Sequence, residues 1–272
     1  MVIGERTTAF RALHQSGCFV MPNAWDAGSA VLLESLGFSA VASTSSGLAW
    51  SLGTRDNNVP LDAVLAHLRA LVGAVGIPVN ADFEGGFATE PEEVAENVRA
   101  GAETGIAGLS IEDSTGDPRN PLFDLPLAIE RIRAAREAID ATGTGVLLTG
   151  RSEGFIVGRP DLAETVRRLR AYADAGAERL YAPGLTAEAD IVAVVEAVAP
   201  HPVNVLVGSD FTTVSDLERL GVRRISVGGA LARAAWTGAI AAAEEIARDG
   251  AFGRLAESVS GGRLEALFPD AP

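Results

Sequence analysis

Two short stretches decide how this chain is interpreted: residues 79–87, VNADFEGGF, and residues 109–113, LSIED. Each begins as an apolar β-strand and ends in carboxylates, Asp82 and Glu84 in the first and Glu112 in the second. In a parallel barrel the C-terminal ends of the strands meet on one face, where the chemistry collects. Carboxylates from neighbouring strand ends would repel one another unless a hard cation joined them, and oxygen ligands of this kind suit Mg²⁺.

Around these stretches, short β-like runs alternate with longer helical patterns. Strands are predicted at residues 19–22, 40–43, 79–82, 108–112, 145–149, 179–182, 203–207 and 225–227. Helices are predicted at residues 27–36, 61–75, 91–104, 127–141, 161–175, 187–198, 213–220 and 230–248. Eight strictly alternating units predict an α/β fold, a closed (β/α)8 TIM-type barrel, in one domain spanning residues 1–272. Residues 252–268 fall outside the eight units, and we expect them to form an extra C-terminal helix on the barrel or on a partner subunit.

The composition excludes several functions. The formal net charge of −14 argues against nucleic acid as a partner, because binding it needs a basic surface. No apolar stretch reaches the length of a membrane span, and the N-terminus carries no secretory signal, so we expect a cytoplasmic protein without a membrane partner. All 22 basic residues are Arg, which rules out a Schiff-base lysine, a lysine-anchored pyridoxal phosphate and a P-loop. The single Cys18 allows no internal disulfide and is expected to be a buried apolar residue.

Polar loops follow two further predicted strands. Residues 43–48, STSSGL, leave backbone N–H groups open, which suits a carboxylate, although many such loops are only turns. Arg151, in the run TGRSEGF, is well suited to pair with a substrate carboxylate through two hydrogen bonds. The alternative is that Arg151 pairs with Glu153 or with another acid of the cluster. Asp56 lies in a polar loop that is either part of the site or a solvated connection. The three His residues are not placed for catalysis.

Taken together, these motifs resemble a known family. The segments Ser46-Gly47-Leu48, Asp56, residues 82–87, residues 110–113 and residues 151–155 occur in the order and spacing of the isocitrate lyase/phosphoenolpyruvate mutase superfamily. The resemblance covers about residues 8–245, and the joint pattern is far more specific than any one piece of it.

The resemblance implies a (β/α)8 barrel, often with its eighth helix swapped between the subunits of a homodimer or homotetramer. It also implies Mg²⁺, with Mn²⁺ as a possible substitute, and a small 2-oxo acid or its enolate as substrate. The implied metal residues are Asp82, which would bind directly, and Glu84 and Glu112, which would act mainly through water. The implied substrate-binding residues are Ser46, Gly47, Leu48 and Arg151. The implied catalytic residues are Asp56, which would also act through metal-bound water, Arg151 and Asn120.

The loop after the fourth strand departs from the family pattern. The C–C lyases carry a Lys-Lys-Cys-Gly-His motif there, whereas this chain has STGDPRNPLFD at residues 114–124. Members that act on phosphonates usually carry a Lys and an Asn in this loop. Asn120 could serve as the Asn, and Arg119 could partly replace the Lys. Phosphonate members also tend to have an aromatic residue where this chain has Thr44.

Three functions remain open on the sequence. The first is a Mg²⁺-dependent lyase that breaks a C–C bond next to a 2-oxo acid, as in decarboxylation of a 2-oxo diacid, which needs an electron sink but no dedicated base. The second is a mutase or hydrolase that breaks the P–C bond of phosphonopyruvate-like substrates. The third is a non-catalytic 2-oxo acid binder. We expect residues 114–124 to close over the ligand, with Asn120 facing it.

Overall fold

The computed structural model describes residues 3–268, and within them parallel strands form one sheet that is rolled into a barrel. The strands are β1 (Phe19–Met21), β2 (Asn23–Ala24), β3 (Val41–Ser43), β4 (Val79–Asp82), β5 (Gly108–Glu112), β6 (Leu147–Arg151), β7 (Arg179–Tyr181), β8 (Val203–Leu206) and β9 (Arg224–Ser226). Their order is β1-β9-β8-β7-β6-β5-β4-β3-β2. The two ends of the sheet, β1 and β2, are consecutive pieces of one extended segment, so the ring is nearly closed.

Pro22 divides that first segment into two. A proline has no N–H to donate to a neighbouring strand, while its carbonyl oxygen accepts a hydrogen bond from Ala42 at 2.9 Å. β1 therefore pairs with β9, and β2 pairs with β3. Counted as one strand, β1 and β2 complete the eight-stranded parallel barrel, which confirms the predicted TIM-type fold.

Helices surround the barrel. They are α1 (Ile3–Leu13), α2 (Ala27–Ser35), α3 (Ser45–Ser51), α4 (Leu61–Ala74), α5 (Pro91–Ala102), α6 (Leu125–Thr142), α7 (Leu162–Asp174), α8 (Glu188–Val198), α9 (Val214–Arg219), α10 (Ala230–Asp249) and α11 (Gly261–Glu265). The predicted helices are all found, while α1 and α3 were not predicted. Residues 252–268 form a 3₁₀ turn at Gly253–Glu257 and the short α11 rather than the single helix that we expected. No helix between residues 3 and 268 is both long and apolar enough to cross a membrane.

The apolar residues form two cores. Outward-facing strand residues such as Val79, Leu109 and Leu148 pack against the helices. Inside the barrel, a small cluster that includes Phe10 and Met21 fills the end where the strands begin, and α1 covers that end. The interior above this cluster is polar, because the inward-facing positions of the strands carry polar side chains. The end of the barrel where the strands finish is therefore open, while the opposite end is sealed.

His14 lies at the sealed end, packed edge-on against Phe10 and Phe19. Its Nδ1 is 2.8 Å from the carbonyl oxygen of Phe10, so Nδ1 carries the proton, and the buried Nε2 has no partner. Burial lowers the pKa of His14 to about 2, and the nearby positive charges of Arg224, Arg179 and Arg11 act in the same direction. The folded protein therefore holds this imidazole neutral.

This predicts a loss of stability in acid. Because the unfolded chain binds a proton at His14 that the folded chain does not, the stabilisation is complete above pH 6.5 and falls as the pH drops below it. By pH 5 the loss is expected to be about 2 kcal/mol, since each pH unit costs about 1.4 kcal/mol. Urea unfolding of the parent and of His14→Leu between pH 8 and 5 measures it. The variant should lose less stability than the parent over this range, and parallel pH profiles would contradict the prediction.

Candidate active site at the C-terminal ends of the strands

The guanidinium of Arg151 lies at the centre of the acidic cluster. Its Nη1 is 3.1 Å from Asp82 Oδ1 and 3.1 Å from Glu112 Oε2, and its Nε donates to Glu153. Arg151 is the last residue of β6, paired with Glu112 of β5 and Tyr181 of β7, so strand register delivers these groups together. We expected this strand to end at residue 149. It instead spans Leu147–Arg151, which places Arg151 inside the barrel mouth and not in the following loop.

The two adjacent acids at the end of β5 point in opposite directions. Glu112 faces Arg151, whereas Asp113 is buried on the outside of the barrel. Asp113 accepts hydrogen bonds from Arg168 at 3.1 Å, from Tyr172 at 2.5 Å and from the backbone N–H of Glu153 at 2.8 Å. Asp113 thereby ties α7 to the end of β6, and it holds in place the backbone that carries Glu153.

Asp56 and Glu84 lie at the edge of the cluster. Burial raises the pKa of Glu84 to about 8, and the negative charges of Asp82 and Asp56 add to the shift. Burial likewise raises the pKa of Asp56. Glu84 also has a left-handed backbone, with φ of 47°, and its carbonyl oxygen accepts a hydrogen bond from Glu112 at 3.0 Å. Strained backbones of this kind are concentrated at functional sites.

In this cluster several carboxyl groups surround a single cation, Arg151. Burial raises the pKa of Glu112 well above its usual range, and the positive charge of Arg151 opposes that shift. Burial lowers the pKa of Arg151, but the carboxylates of Glu112, Glu153 and Asp82 outweigh it and raise that pKa above its ordinary value. Because a single guanidinium faces several acids whose pKa values are raised, a further cation at this site would favour their ionised forms.

The donor set fits a hard divalent cation that is held largely through water. Within residues 3–268, no three His, Cys, Asp or Glu side chains are grouped so that they could hold a metal ion by themselves. Mg²⁺ keeps several of its waters and is usually bound by only one or two carboxylates. Asp82 is placed to be such a ligand, with Glu84, Glu112 and Asp56 around it to accept hydrogen bonds from bound water. These assignments stay predictions.

The segment after β3 forms a helix, α3, and not the open loop that we expected. Thr44 caps this helix, and the N–H of Ser45 donates to Asp82 Oδ2 at 3.1 Å. Ser46 lines the cavity at the barrel mouth, and its hydroxyl is 3.1 Å from that of Thr44. Gly47 is buried, and a Cβ there would lie 2.6 Å from the Thr44 side chain.

Leu48 was predicted to bind substrate, but in the structure its side chain lies away from the cavity. Its side chain is only 6% exposed and belongs to the core between the strands and the helices. Its N–H already donates to the Thr44 carbonyl oxygen at 3.0 Å. Leu48 therefore offers no free polar group to a substrate, and in this structure it packs the helix that carries Ser46.

Two hollows meet the acidic cluster. The first, of about 160 Å³, descends into the barrel and is lined by Asp82 and Arg151 at its mouth and by Asn204 and Arg224 below. The second, of about 650 Å³, is open to the surface and lies between Asp56, Glu84, Glu112 and the start of the loop after β5. A small acid could enter from the second hollow and reach the first.

Asn120 lies outside both hollows. Residues 114–122 form a hairpin in which Ser114 bridges Leu122, and Asn120 is exposed on a separate cleft next to Arg159. Arg119 is 90% exposed and pairs with Asp117 at 3.2 Å at the tip of the hairpin. Contact of either residue with a ligand would require the hairpin to move, so closure of this loop stays a prediction.

Sequence reasoning missed the polar groups deeper in the barrel. Tyr181, Asn204, Arg224 and Ser226 all line the inner hollow. Their signal was present in the strands RLY, VNVL and RIS, where a polar residue occupies inward positions that a filled barrel would give to apolar side chains. The two-residue period of a strand, applied to these segments, would have placed these side chains on the inward face.

Comparison with known proteins places the chain in a family. Residues 10–247 match the family model described as phosphoenolpyruvate phosphomutase. The chain belongs to the isocitrate lyase/phosphoenolpyruvate mutase superfamily. The fold agrees: a crystal structure from Burkholderia cenocepacia J2315, assigned as a lyase/mutase, superimposes with a TM-score of 0.95 at 46% identity, covering 99% of this chain and 97% of that one.

Two curated relatives in this superfamily carry named lyase activities. The 2-methylisocitrate lyase of Escherichia coli K12 is 31% identical over 169 residues, which cover 59% of this chain and 56% of that protein. The oxaloacetate decarboxylase of Bradyrhizobium diazoefficiens is 29% identical over 213 residues, which cover 71% of this chain and 67% of that protein. The chain is thus similar to enzymes that break C–C bonds in small acids.

Asp82 provides the first test of the site. Asp82→Asn should abolish Mg²⁺-dependent binding of pyruvate while leaving the barrel folded, because it removes the negative charge from the expected metal ligand and keeps its shape. Isothermal titration calorimetry with and without Mg²⁺ measures the binding, and circular dichroism checks the fold. Asp216→Asn, an exposed acid on α9, is the control and should bind as the parent does. Unchanged binding by Asp82→Asn would remove Asp82 from the metal site.

Arg151 provides the second test of the site. Arg151→Lys keeps the charge but loses the planar fork that contacts Asp82, Glu112 and Glu153 together. We expect affinity for pyruvate in the presence of Mg²⁺ to weaken by about 1–3 kcal/mol, the scale of hydrogen bonds to a charged group. Arg167→Lys, exposed on α7, is the matched control. Equal affinities in Arg151→Lys and the parent would show that Arg151 does not touch the ligand.

Proposed function

We propose that this protein is a Mg²⁺-dependent lyase that acts on a small 2-oxo acid, with decarboxylation of a 2-oxo diacid as its reaction. The observation that carries the proposal is the buried cluster of carboxylates around Arg151 at the mouth of the barrel. The similarity to an oxaloacetate decarboxylase over most of the chain supports it. Mn²⁺ is expected to substitute for Mg²⁺.

In the proposed reaction, different residues of the site bind the substrate and hold the metal. Arg151 and the hydroxyl of Ser46 would hold the carboxylate next to the 2-oxo group, since both line the inner hollow. Asp82, supported by Glu84, Glu112 and Asp56, would hold the metal. When bound, the divalent cation supplies the positive charge that stabilises the enolate left when CO₂ departs. The buried walls limit water around the developing charge.

The loop after β5 favours decarboxylation over other cleavages. Residues 114–124 contain no Cys, His or Lys, so they offer no thiol, imidazole or amine to exchange a proton with a leaving group. Loss of CO₂ leaves an enolate that water can protonate. Breaking a P–C bond, the second candidate, would call on Asn120 and Arg119, and both are exposed, with Arg119 paired to Asp117. A non-catalytic binder is the third candidate and is separated from the others by the assay below.

Turnover tests the proposal. With saturating Mg²⁺ we expect pyruvate and CO₂ from oxaloacetate at a rate above the uncatalysed and the Mg²⁺-only rates. The activity should be lost in excess EDTA and return with Mg²⁺ or Mn²⁺. Isocitrate, 2-methylisocitrate and phosphonopyruvate should give negligible product. Pyruvate release is followed through a coupled dehydrogenase, with the Asp82→Asn protein as the matched blank.

Any other result of this assay would indicate a different function. Cleavage of isocitrate or 2-methylisocitrate near the median enzyme rate of about 10 s⁻¹ would show that a residue outside the loop supplies the proton. Product from phosphonopyruvate would favour P–C chemistry. Binding of 2-oxo acids without turnover of any substrate would leave only the binder.

We also propose that the protein assembles as a homodimer or homotetramer through α10. This helix is 20 residues long, and Ala232 is its one buried residue. Trp236 and Ile240 are 45% and 51% exposed, and the segment that follows exposes Phe252 as well. Large apolar side chains presented together on a helix away from the core typically mark an interface. A second copy of the chain is the partner that the family resemblance implies.

Charge placed on that face should break the assembly. Trp236→Glu combined with Ile240→Glu is expected to yield monomers, because two buried carboxylates would cost several kcal/mol at an apolar interface. Light scattering after size-exclusion chromatography gives the mass. Ala234→Glu combined with Arg248→Gln adds the same two units of negative charge to exposed positions on the other side of this helix, which controls for net charge. A monomeric parent, or an oligomeric double mutant, would overturn the proposal.

A further inference from the structure

Arg224 is a buried cation without an anionic partner. Its side chain belongs to a residue that is 2% exposed, on β9 inside the barrel. Nε donates to Asn204 at 2.9 Å and Nη2 donates to Thr149 at 3.3 Å, both neutral groups, while Nη1 has no partner. Across residues 3–268, no carboxylate forms an ion pair with Arg224. Arg151 and Arg168, which are also largely buried, each have at least two.

The surroundings of Arg224 make this arrangement unfavourable unless an anion binds. Burial lowers the pKa of Arg224 to about 9, and the positive charge of Arg179 acts in the same direction. A buried charge is normally paired, because desolvation without a partner costs several kcal/mol. The structure retains this charge at the floor of a cavity, where an incoming ligand can reach it.

The same cavity connects Arg224 to the acidic cluster. Asp82 and Arg151 line its mouth, and Arg224 and Asn80 line its interior. The Oδ1 atom of Asn80 is a second buried polar atom without a partner. The cavity, of about 160 Å³, has room for only a few heavy atoms beyond those held at the mouth. A ligand that spans it would be short and anionic at its inner end.

We propose that Arg224 is the specificity-determining residue at the inner end of this cavity and binds the second carboxylate of a short 2-oxo diacid. This inference rests on the proposed function for the first carboxylate, which is held at the mouth beside Arg151. The guanidinium of Arg224 donates to the inner carboxylate. Longer chains are excluded, because the apolar cluster that includes Phe10 and Met21 closes the barrel below.

The test compares two unreactive acids that differ by one carboxylate. Malate and lactate, each as both enantiomers, are titrated with Mg²⁺ present and followed by calorimetry. The parent should bind the better malate enantiomer at least about tenfold more tightly than lactate, the scale of one charge-assisted hydrogen bond. Arg224→Gln should lose that preference while its affinity for lactate changes less than about threefold. Arg179→Gln, a buried barrel arginine that does not line the cavity, should keep it.

A second measurement uses the parent alone and so does not depend on the folding of a variant. In EDTA, formate should raise the melting temperature saturably at constant ionic strength, with gluconate, which is too large for the cavity, as the balancing salt. Formate should also compete with malate but not with lactate. No formate effect, or no preference for malate in the parent, would overturn the role of Arg224.

The two proposals fail separately. Oxaloacetate turnover without a preference for malate would remove Arg224 from recognition and leave the lyase. An Arg224-dependent preference for malate without turnover of any 2-oxo acid would keep the binding site and remove the reaction. If lactate and malate weaken equally in Arg224→Gln, the residue only supports the barrel, and the specificity assignment is wrong.

Discussion

The contact of Arg151 with three carboxylates is the interaction on which the rest of the site depends. Asp82, Glu112 and Glu153 come from the ends of three neighbouring strands, and without a cation between them their mutual repulsion would oppose closure of the barrel at this edge. The structure supports Arg151 from outside through Asp113, which fixes the backbone of Glu153 and anchors α7. One guanidinium is enough to assemble the cluster but not to neutralise it, which is why the site suits a divalent cation.

The polarity of the barrel interior changes from the mouth to the base. The mouth carries a cluster of carboxyl groups around Arg151, the middle carries Arg224 with neutral hydrogen-bonding partners, and the base is apolar and sealed by α1. A small molecule that enters meets the acidic cluster first and the cation of Arg224 beneath it. A short acid with charge at both ends matches this sequence of environments better than a neutral or a bulky ligand does.

Much of the fold was predictable because barrel strands and helices leave strong local signals. The alternating apolar runs located all strands except the short β2, which lies just after the predicted residues 19–22, and the acids of β4 and β5 located the cluster. The end of β6 was misplaced because Gly150 and Arg151 resemble a loop in sequence, although strand pairing with Glu112 and Tyr181 holds both residues in the barrel. The segment after β3 was predicted to be an open loop, but it forms a helix that Thr44 caps and that backbone hydrogen bonds such as Leu48 N–H to Thr44 C=O hold.

Other features depend on tertiary contacts that no local pattern encodes. Leu48 follows Ser46 and Gly47 directly, but the turn of α3 directs it into the core. Asn120 was expected to face the ligand, and the hairpin pairing of Ser114 with Leu122 instead carries it to the outer cleft. The sequence left two alternatives for Arg151, pairing with a substrate carboxylate or pairing with the acids of the cluster. In the structure, strand register brings Arg151 next to those acids, and the ion pairs form.

A direct count of bound metal tests the central claim, that the carboxylate cluster is a site for one divalent cation. Mn²⁺ is titrated into the metal-free parent protein, and the free ion is followed by electron paramagnetic resonance. We expect saturation at one Mn²⁺ per chain, with release of the ion when excess Mg²⁺ is added. Binding that does not saturate, or that Mg²⁺ cannot reverse, would contradict the assignment of this cluster as a magnesium site.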